Sequence, residues 1–255
     1  SPTGTFDVGD RVVAPVLRSA GGRRLDVLVL THGDPDHMGG GPSIIREFRP
    51  RAVWEGVPVP RFEPMQRARA LATQLGVPWR TVNRGDVFPL GRVEVVVRHP
   101  PPPDWERQRV RNDDSVVLEL RYGDVSVLLP GDVGVAIEPT LAPDLAMRPI
   151  RVVKLAHHGS PTSSGERFVM AVRPQIGIAS AGRTNRFGHP AQAVIERYQR
   201  VGAEVFRTDL DGAIELTTDG VGVSVSTFTG RRVTLPTAPS VPASPAARSP
   251  PVPPR

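Results

Sequence analysis

The chain is predicted to be an α/β protein with helices layered on sheets, followed by a tail without regular structure. Three observations predict this. Apolar runs of strand length alternate with stretches of helical period through much of the chain. One of these runs, Leu25 to Leu30, stops abruptly at a polar cluster, Thr-His-Gly-Asp-Pro-Asp-His-Met-Gly-Gly, which ends at Gly40. From Leu235 onward the residues are Pro, Ala, Ser, Thr, Val and Arg without either period, and proline this dense cannot pack. The foldable part is set at residues 1–232 and the disordered Pro-rich tail at 233–255.

Taken in order, Arg11 to Ala20 reads as a brief helix with Pro15 early in it, closed by Gly21 and Gly22. Val27 to Leu30 carries no intervening charge, which suits a strand buried on both faces. Gly33 and Pro35 are expected to keep the polar cluster out of helix, and Gly39 and Gly40 to turn the chain tightly before a helix over Pro42 to Phe48. Ala52 to Glu55 is a short strand, and Met65 to Leu75 is a helix ended by Gly76-Val77-Pro78. Val87 to Val97 holds two strands broken at Pro89-Leu90-Gly91. His99 opens a proline run and is read as a surface loop residue. Ser115 to Leu120 and Val125 to Leu129 form a hairpin around Arg121-Tyr122-Gly123-Asp124. Strands follow at Val152 to Ala156 and Gln175 to Ser180, a helix at Pro190 to Val201, and closing strands at Glu204 to Phe206, Ala213 to Leu216 and Val221 to Val225.

Composition narrows the chemistry. With no cysteine among 255 residues, any metal must be held by His, Asp or Glu, and neither disulfides nor thiolates are available. The net charge of +6 favours an anionic partner, although only one of the 32 basic residues, Lys154, is a lysine and the arginines are scattered. Aromatic residues make up 5% and are not interleaved with those arginines, so no stacking platform for single strands is legible. No apolar run approaches the roughly 18 residues of a membrane span, and no signal segment opens the chain. The first residue is Ser1, in what reads as mid-domain.

His32, Asp34, Asp36 and His37 place four metal-capable side chains within six positions at the end of a strand. A lone His-Asp pair there would be a polar turn; four at this spacing read as a metal site. Imidazole nitrogen with carboxylate oxygen suits zinc or manganese, whereas calcium would want nearly all oxygen. Three further segments carry groups of the same kind. Asp132 follows Val-Leu-Leu-Pro-Gly, and the Gly lets its carboxylate approach an ion. His157 and His158 end a strand and precede Gly159-Ser160-Pro161-Thr162-Ser163-Ser164, a run able to cap a helix and to offer Ser160, Ser163 and Ser164 to an anion. Asn185-Arg186-Phe187-Gly188-His189-Pro190 fixes a loop before a helix, with Asn185 and His189 as candidates.

In order and approximate spacing these segments resemble the ComEC competence branch of the metallo-β-lactamase superfamily, from Phe6 to Thr227. The chain departs from the superfamily's usual His-x-His-x-Asp-His by placing Asp34 where the second His stands. The resemblance implies an αββα sandwich, expected here without its first strands, and a metal-dependent hydrolase with two divalent ions, manganese or zinc. By that resemblance, His32 and Asp34 would hold the first ion, Asp36, His37 and one of the adjacent histidines the second, and Asp132 would bridge. His157 is favoured as the ligand because Val153 and Leu155 lie on its side of the strand; His158 would then be the phosphate or proton-transfer partner, with Asp36 and His189 also at the reacting centre. Asn112 or Ser115 would stand in the usual third-motif place. The implied activity is a phosphodiesterase or nuclease acting on DNA in DNA uptake, within an extracytoplasmic domain joined to the membrane part of a longer protein. Two alternatives are carried: hydrolysis of a small phosphoester or thioester, and a metal-free DNA-binding or scaffolding domain.

Overall fold

The computed structural model describes residues 6–102, 107–145 and 147–235. A π-helical turn, Gly9–Val13, runs into α1 (Ala14–Ser19), so the first helix starts earlier than its apolar pattern indicated. Asp7 holds this start: its carboxylate accepts from Asp10 N at 3.0 Å and from Ser43 Oγ at 2.7 Å. Next comes β1 (Val27–Leu30), and then a one-turn helix, α2 (Pro35–Met38), lies inside the polar cluster that was expected to stay non-helical. The reason is positional. Asp34 is in extended backbone at the N-cap, and Pro35 occupies the first helical position, where its fixed φ suits a helix and its missing N–H costs nothing. The rest of this half is α3 (Gly41–Phe48), β2 (Ala52–Glu55), α4 (Glu63–Gln74) and β3 (Trp79–Thr81), the last a strand too short to show a period.

These three strands form a parallel sheet in the order β1-β2-β3. Leu28, Leu30 and Val53 on one face pack against Ile45 of α3 and Ala68 and Ala72 of α4. Val27, Val29 and Trp54 on the other meet a second sheet through Val95, Val97, Val116 and Leu118. Thus β1 packs on both sides, as its sequence requires, although its place at the sheet edge leaves Val27 to Val29 only half-buried.

The second sheet has seven strands: β4 (Val87–Leu90), β5 (Val93–His99), β6 (Val117–Tyr122), β7 (Val125–Leu129), then, after α5 (Glu138–Leu141), β8 (Ile150–Lys154), and, after α6 (Glu166–Val172), β9 (Ile176–Ala179). After α7 (Gln192–Arg200) the chain adds β10 (Glu204–Arg207), giving the order β10-β9-β8-β7-β6-β5-β4. Pro89 is tolerated within β4 because that strand is the sheet's edge. His99 is not a surface loop residue: it ends β5, is buried, and its Nε2 donates to the Asp113 carbonyl at 2.8 Å. A turn of helix, α8 (Thr208–Asp211), leads to the antiparallel strands β11 (Ile214–Thr218), β12 (Val223–Thr227) and β13 (Arg232–Leu235). The last strand takes three residues assigned to the tail: Val233 and Leu235 alternate with Arg232 and Thr234 and lie against the same cluster as Val223 and Val225. Residues 236–255 of the expected tail lie outside the described residues.

Alternation along the seven-stranded sheet defines the layers. Val152 and Ile176 face the small sheet of β11 to β13, while Val117, Leu128 and Val153 face α6 and α7. The two three-stranded sheets therefore share one face of the large sheet, with α3 and α4 outside one of them and α6 and α7 covering the opposite side. This is the helix–sheet–sheet–helix sandwich that the family resemblance implied. The carboxyl ends of β1, β7 and β8 come to one rim, joined by backbone hydrogen bonds from Val116 N to Thr31 O (2.9 Å) and from His157 N to Gly131 O (3.0 Å). Replacing the fully buried Ile45 with alanine removes the contact between α3 and the parallel sheet. It is expected to lower stability by about 2–5 kcal/mol, read as a fall in the urea midpoint without a change in slope.

Candidate metal centre

The centre is built from strand ends. β1 delivers Thr31 and His32, α2 carries Asp36 and His37, the turn after β7 presents Asp132, and a 3-10 turn after β8, Ala156–Gly159, presents His157 and His158. The Asp132 turn depends on Gly131, whose φ is +60° and where a Cβ would stand 2.7 Å from Ser115 Cβ. In the second turn His157 and His158 are both left-handed, at φ 48° and 56°, followed by Gly159 at 83°. Two non-glycine residues in that region carry strain, which packing must hold.

Three imidazoles converge on one carboxylate. His37 Nε2 lies 3.1 Å and His158 Nε2 3.4 Å from Asp132 Oδ2; the two ring nitrogens are 3.2 Å apart. Asp36 Oδ2 is 3.2 Å from His158 Nε2 and 3.6 Å from His37 Nε2. His32, His37 and Asp132 form one group of potential ligand atoms, and Asp36, His37 and His158 another. Asp34 Oδ2 stands 3.3 Å from His32 Nε2, which makes no hydrogen bond.

The other nitrogen of each ring is held from behind. His32 Nδ1 is 3.2 Å from Thr31 Oγ1 and 3.1 Å from Ser115 Oγ, His37 Nδ1 is 3.0 Å from the same Thr31 hydroxyl, and His158 Nδ1 donates to Ser180 O at 2.7 Å. A carbonyl only accepts, so the His158 Nδ1 carries hydrogen, and the Thr31 hydroxyl, with two lone pairs, can accept from both neighbouring rings. This tautomer leaves all three Nε2 atoms facing the carboxylates, the arrangement of metal-ligating histidines with outer hydrogen-bond partners. Thr31 and Ser180 were not singled out from the sequence. A hydroxyl directly before the first His was the available signal for Thr31, and a backbone carbonyl leaves none.

Asp132 is 3% exposed and its Oδ1 has no hydrogen-bond partner. Burial works against its ionisation, but pairing with His158 and His37 in their protonated form prevails and holds the carboxyl well below the usual carboxylate range. The His158 imidazole is pushed up, first by its hydrogen bond to Asp132, whereas burial pushes His32 down, helped by His37. Two orphaned buried acceptors, His32 Nε2 and Asp132 Oδ1, beside two ring nitrogens facing each other are a donor set that fits a divalent cation.

Of the adjacent histidines, His158 lies nearer the carboxylates than His157, the one favoured from the sequence. His158, not His157, points into both carboxylates; His157 Nε2 stays 3.8 Å from Asp132 and within 3.4 Å of Asn112 Nδ2. Strand parity failed here because β8 ends at Lys154 and the left-handed turn re-aims both rings. His157 lines a cleft of ≈ 320 Å³ with Arg111, Asn112, Asp113 and Thr162. His189 stands one ring further out, its centroid 5.7 Å from that of His157.

The serine run has a different occupant from the one expected. Ser163 is buried and donates to Ala156 O and Ser160 O; Ser164 is buried and its Oγ meets Tyr198 Oη at 3.2 Å. The anion at the start of α6 is the chain's own Glu138, which accepts from Ser164 N and, at 2.9 Å, from Gly165 N. Ser160 is buried too, its Oγ 2.9 Å from Thr162 Oγ1. Asn185 uses its amide on its own loop, accepting from His189 N and donating to the carbonyls of Gly182 and His189. None of these four side chains faces the cleft as a free donor.

A mixed α/β sandwich with histidines and carboxylates gathered at its strand ends defines the class: a metal-centre protein of the hydrolase type. The chain belongs to the metallo-beta-lactamase superfamily, whose family model matches residues 3–183. It is 34% identical over 213 residues to ComE operon protein 3 of Bacillus subtilis (strain 168), covering 82% of this chain and 27% of that protein. To competence protein ComA of Neisseria gonorrhoeae it is 33% identical over 215 residues, covering 84% and 28%. The chain thus spans about a quarter of the length of these curated relatives. Among solved structures, the metallo-beta-lactamase fold protein YhfI of Bacillus subtilis superposes with a TM-score of 0.48 at 10% identity, covering 77% of this chain and 80% of that one. No helix among the described residues is long and apolar enough to cross a membrane.

Two outcomes test the assignments. His158→Ala is expected to reduce bound metal by at least ten-fold in affinity, on the scale of losing a ligand, with His157→Ala retaining it, as read by elemental analysis and competition with a chelator. Glu138→Gln, which leaves one buried amide without its acceptor, is expected to cost about 1–3 kcal/mol in chemical denaturation.

Proposed function

We propose that this chain is a divalent-metal-dependent phosphodiesterase acting on DNA during DNA uptake, using two ions, manganese or zinc. The observation that carries the reading is the convergence of His32, His37 and His158 on Asp132 and Asp36, with each Nδ1 turned to an outer partner, beside a cleft that places Arg111 and Asn112 next to His157. The similarity to competence proteins supports the DNA substrate, and by the same resemblance the chain would be a domain outside the cytoplasm, joined to the membrane part of a longer polypeptide.

His32, with Asp34 beside it, would hold one ion and Asp36, His37 and His158 the other, with the Asp132 carboxylate next to His37 and His158. When bound, such ions supply Lewis acidity and water activated at neutral pH. The protein's own part is positional. Thr31, Ser115 and Ser180 lock the imidazoles, and Arg111 offers a guanidinium fork to a phosphate oxygen at the cleft. His157 would hold or pass a proton at the leaving or attacking oxygen: it lines the cleft, with its Nε2 3.4 Å from Asn112 Nδ2.

The test is cleavage of labelled DNA with manganese or zinc added to metal-stripped protein. Wild type should cut, chelator should abolish cutting, and Asp36→Ala should lower the rate by about 10²-fold or more, the scale of losing one electrostatic or acid–base group. Equal rates for wild type and Asp36→Ala would sink the proposal.

A further inference from the structure

The loop from Ala181 to His189 presents a side chain that the metal chemistry does not use. Phe187 is 67% exposed, yet its ring lies near-parallel to His189, at 5.8 Å between centroids and 18° between planes. The His189 ring in turn meets His157 edge-on at 5.7 Å, and His157 lines the cleft beside Asp132. A single exposed apolar residue needs no explanation. A ladder of three rings leading from the rim of the molecule to the candidate centre does. The ladder is also held in place: Asn185 bonds both the N–H and the carbonyl of His189, and Ala191 N, two residues on, donates to Gly159 O at 2.9 Å. The Arg186 guanidinium lies 4.9 Å from the Phe187 ring centroid.

We infer that Phe187 is the stacking platform for an unpaired base of a nucleic-acid strand whose phosphate lies in the cleft at His157 and Arg111. This rests on the phosphodiesterase reading above and names what distinguishes one strand from another at that site. An exposed ring on a fixed loop presents a π-face at little ordering cost, and such stacking is sequence-tolerant because every base has a π-face. A base competes well with the guanidinium now over the ring: stacking on an aromatic exceeds an exposed cation–π contact by roughly ten-fold in binding constant. Once displaced, Arg186 is free to pair with a flanking phosphate. Bases inside a duplex are already stacked on both sides, so the platform selects single strands and frayed ends.

The test is fluorescence anisotropy with the full chain and labelled single-stranded oligonucleotides, either intact or abasic at every position, together with cleavage of the same strands. Wild type should bind the intact strand about ten-fold more tightly than the abasic one. Phe187→Ala should lose that preference, Phe187→Leu should lose most of it despite its bulk, and Phe187→Trp should retain it. An unchanged preference in Phe187→Ala overturns the inference. Cleavage separates the two claims: a preference that depends on Phe187 in protein that cuts no strand sinks the nuclease reading and leaves the platform standing. Metal-dependent cutting with an unchanged preference does the reverse.

Discussion

Everything at the rim of this sandwich depends on keeping one carboxylate charged where water cannot reach it. Asp132 sits at the end of β7 with almost no exposure, and a buried charge without partners costs several kcal/mol. His37 and His158 offset that cost, and the chain brings them from opposite halves of the sequence. His37 arrives on a one-turn helix launched by Pro35, and His158 on a turn strained into left-handed backbone. Ser115 joins the two shells: its hydroxyl accepts from Asp132 N at 3.1 Å and touches His32 Nδ1. Removing the carboxylate would therefore leave a cluster of imidazoles, not merely an open ligand position.

A second buried carboxylate shows the same rule used for structure. Glu138 takes two backbone N–H groups at the start of α6, where any anion is welcome because those amides have no partner inside the helix. Burial pushes its carboxyl up, against those two hydrogen bonds and the charge of Arg197. Glu138 thereby closes a site that the sequence offers to a phosphate. The amides at the end of the serine run are satisfied from within, and under the proposed function a substrate phosphate would fall to the cleft lined by Arg111, Asn112 and His157.

Periodicity read most of the sandwich correctly because long buried strands leave no choice of face. Val152 and Val153 had to point to opposite layers, and they do. The misreadings fall where local backbone, not period, decides. β3 and β13 have three and four residues, too few to establish alternation beside proline-rich sequence. His99 looked like a loop residue because prolines follow it, yet a strand can run up to a proline and bury its last side chain. His157 and His158 could not be ordered from sequence, since the answer lies in two positive φ angles that no residue type announces. The clustering of His32, His37 and Asp36 was legible for the opposite reason: a strand that ends in several His and Asp side chains has few other uses for them. Glu138 was not, because its partner is 26 residues away and its own sequence, Glu-Pro-Thr-Leu, carries no sign of an anion's role.

Asp34 divides the cluster into unequal halves. His32 is fully buried and its ionisation is suppressed, first by burial and then by His37, so its Nε2 stays a neutral donor facing the centre. The neighbouring oxygen belongs to the Asp34 side chain, which is 44% exposed. His37 and His158 are by contrast engaged at both ring nitrogens, and Asp132 is buried and engaged through Oδ2. A cation bound between held donors loses little to reorganisation, whereas one that relies on Asp34 must first take a partly exposed carboxylate out of water. Where the usual pattern has its second His, this chain has a partly exposed carboxylate, so an ion that used Asp34 would be held less rigidly than one set among His37, His158 and Asp132.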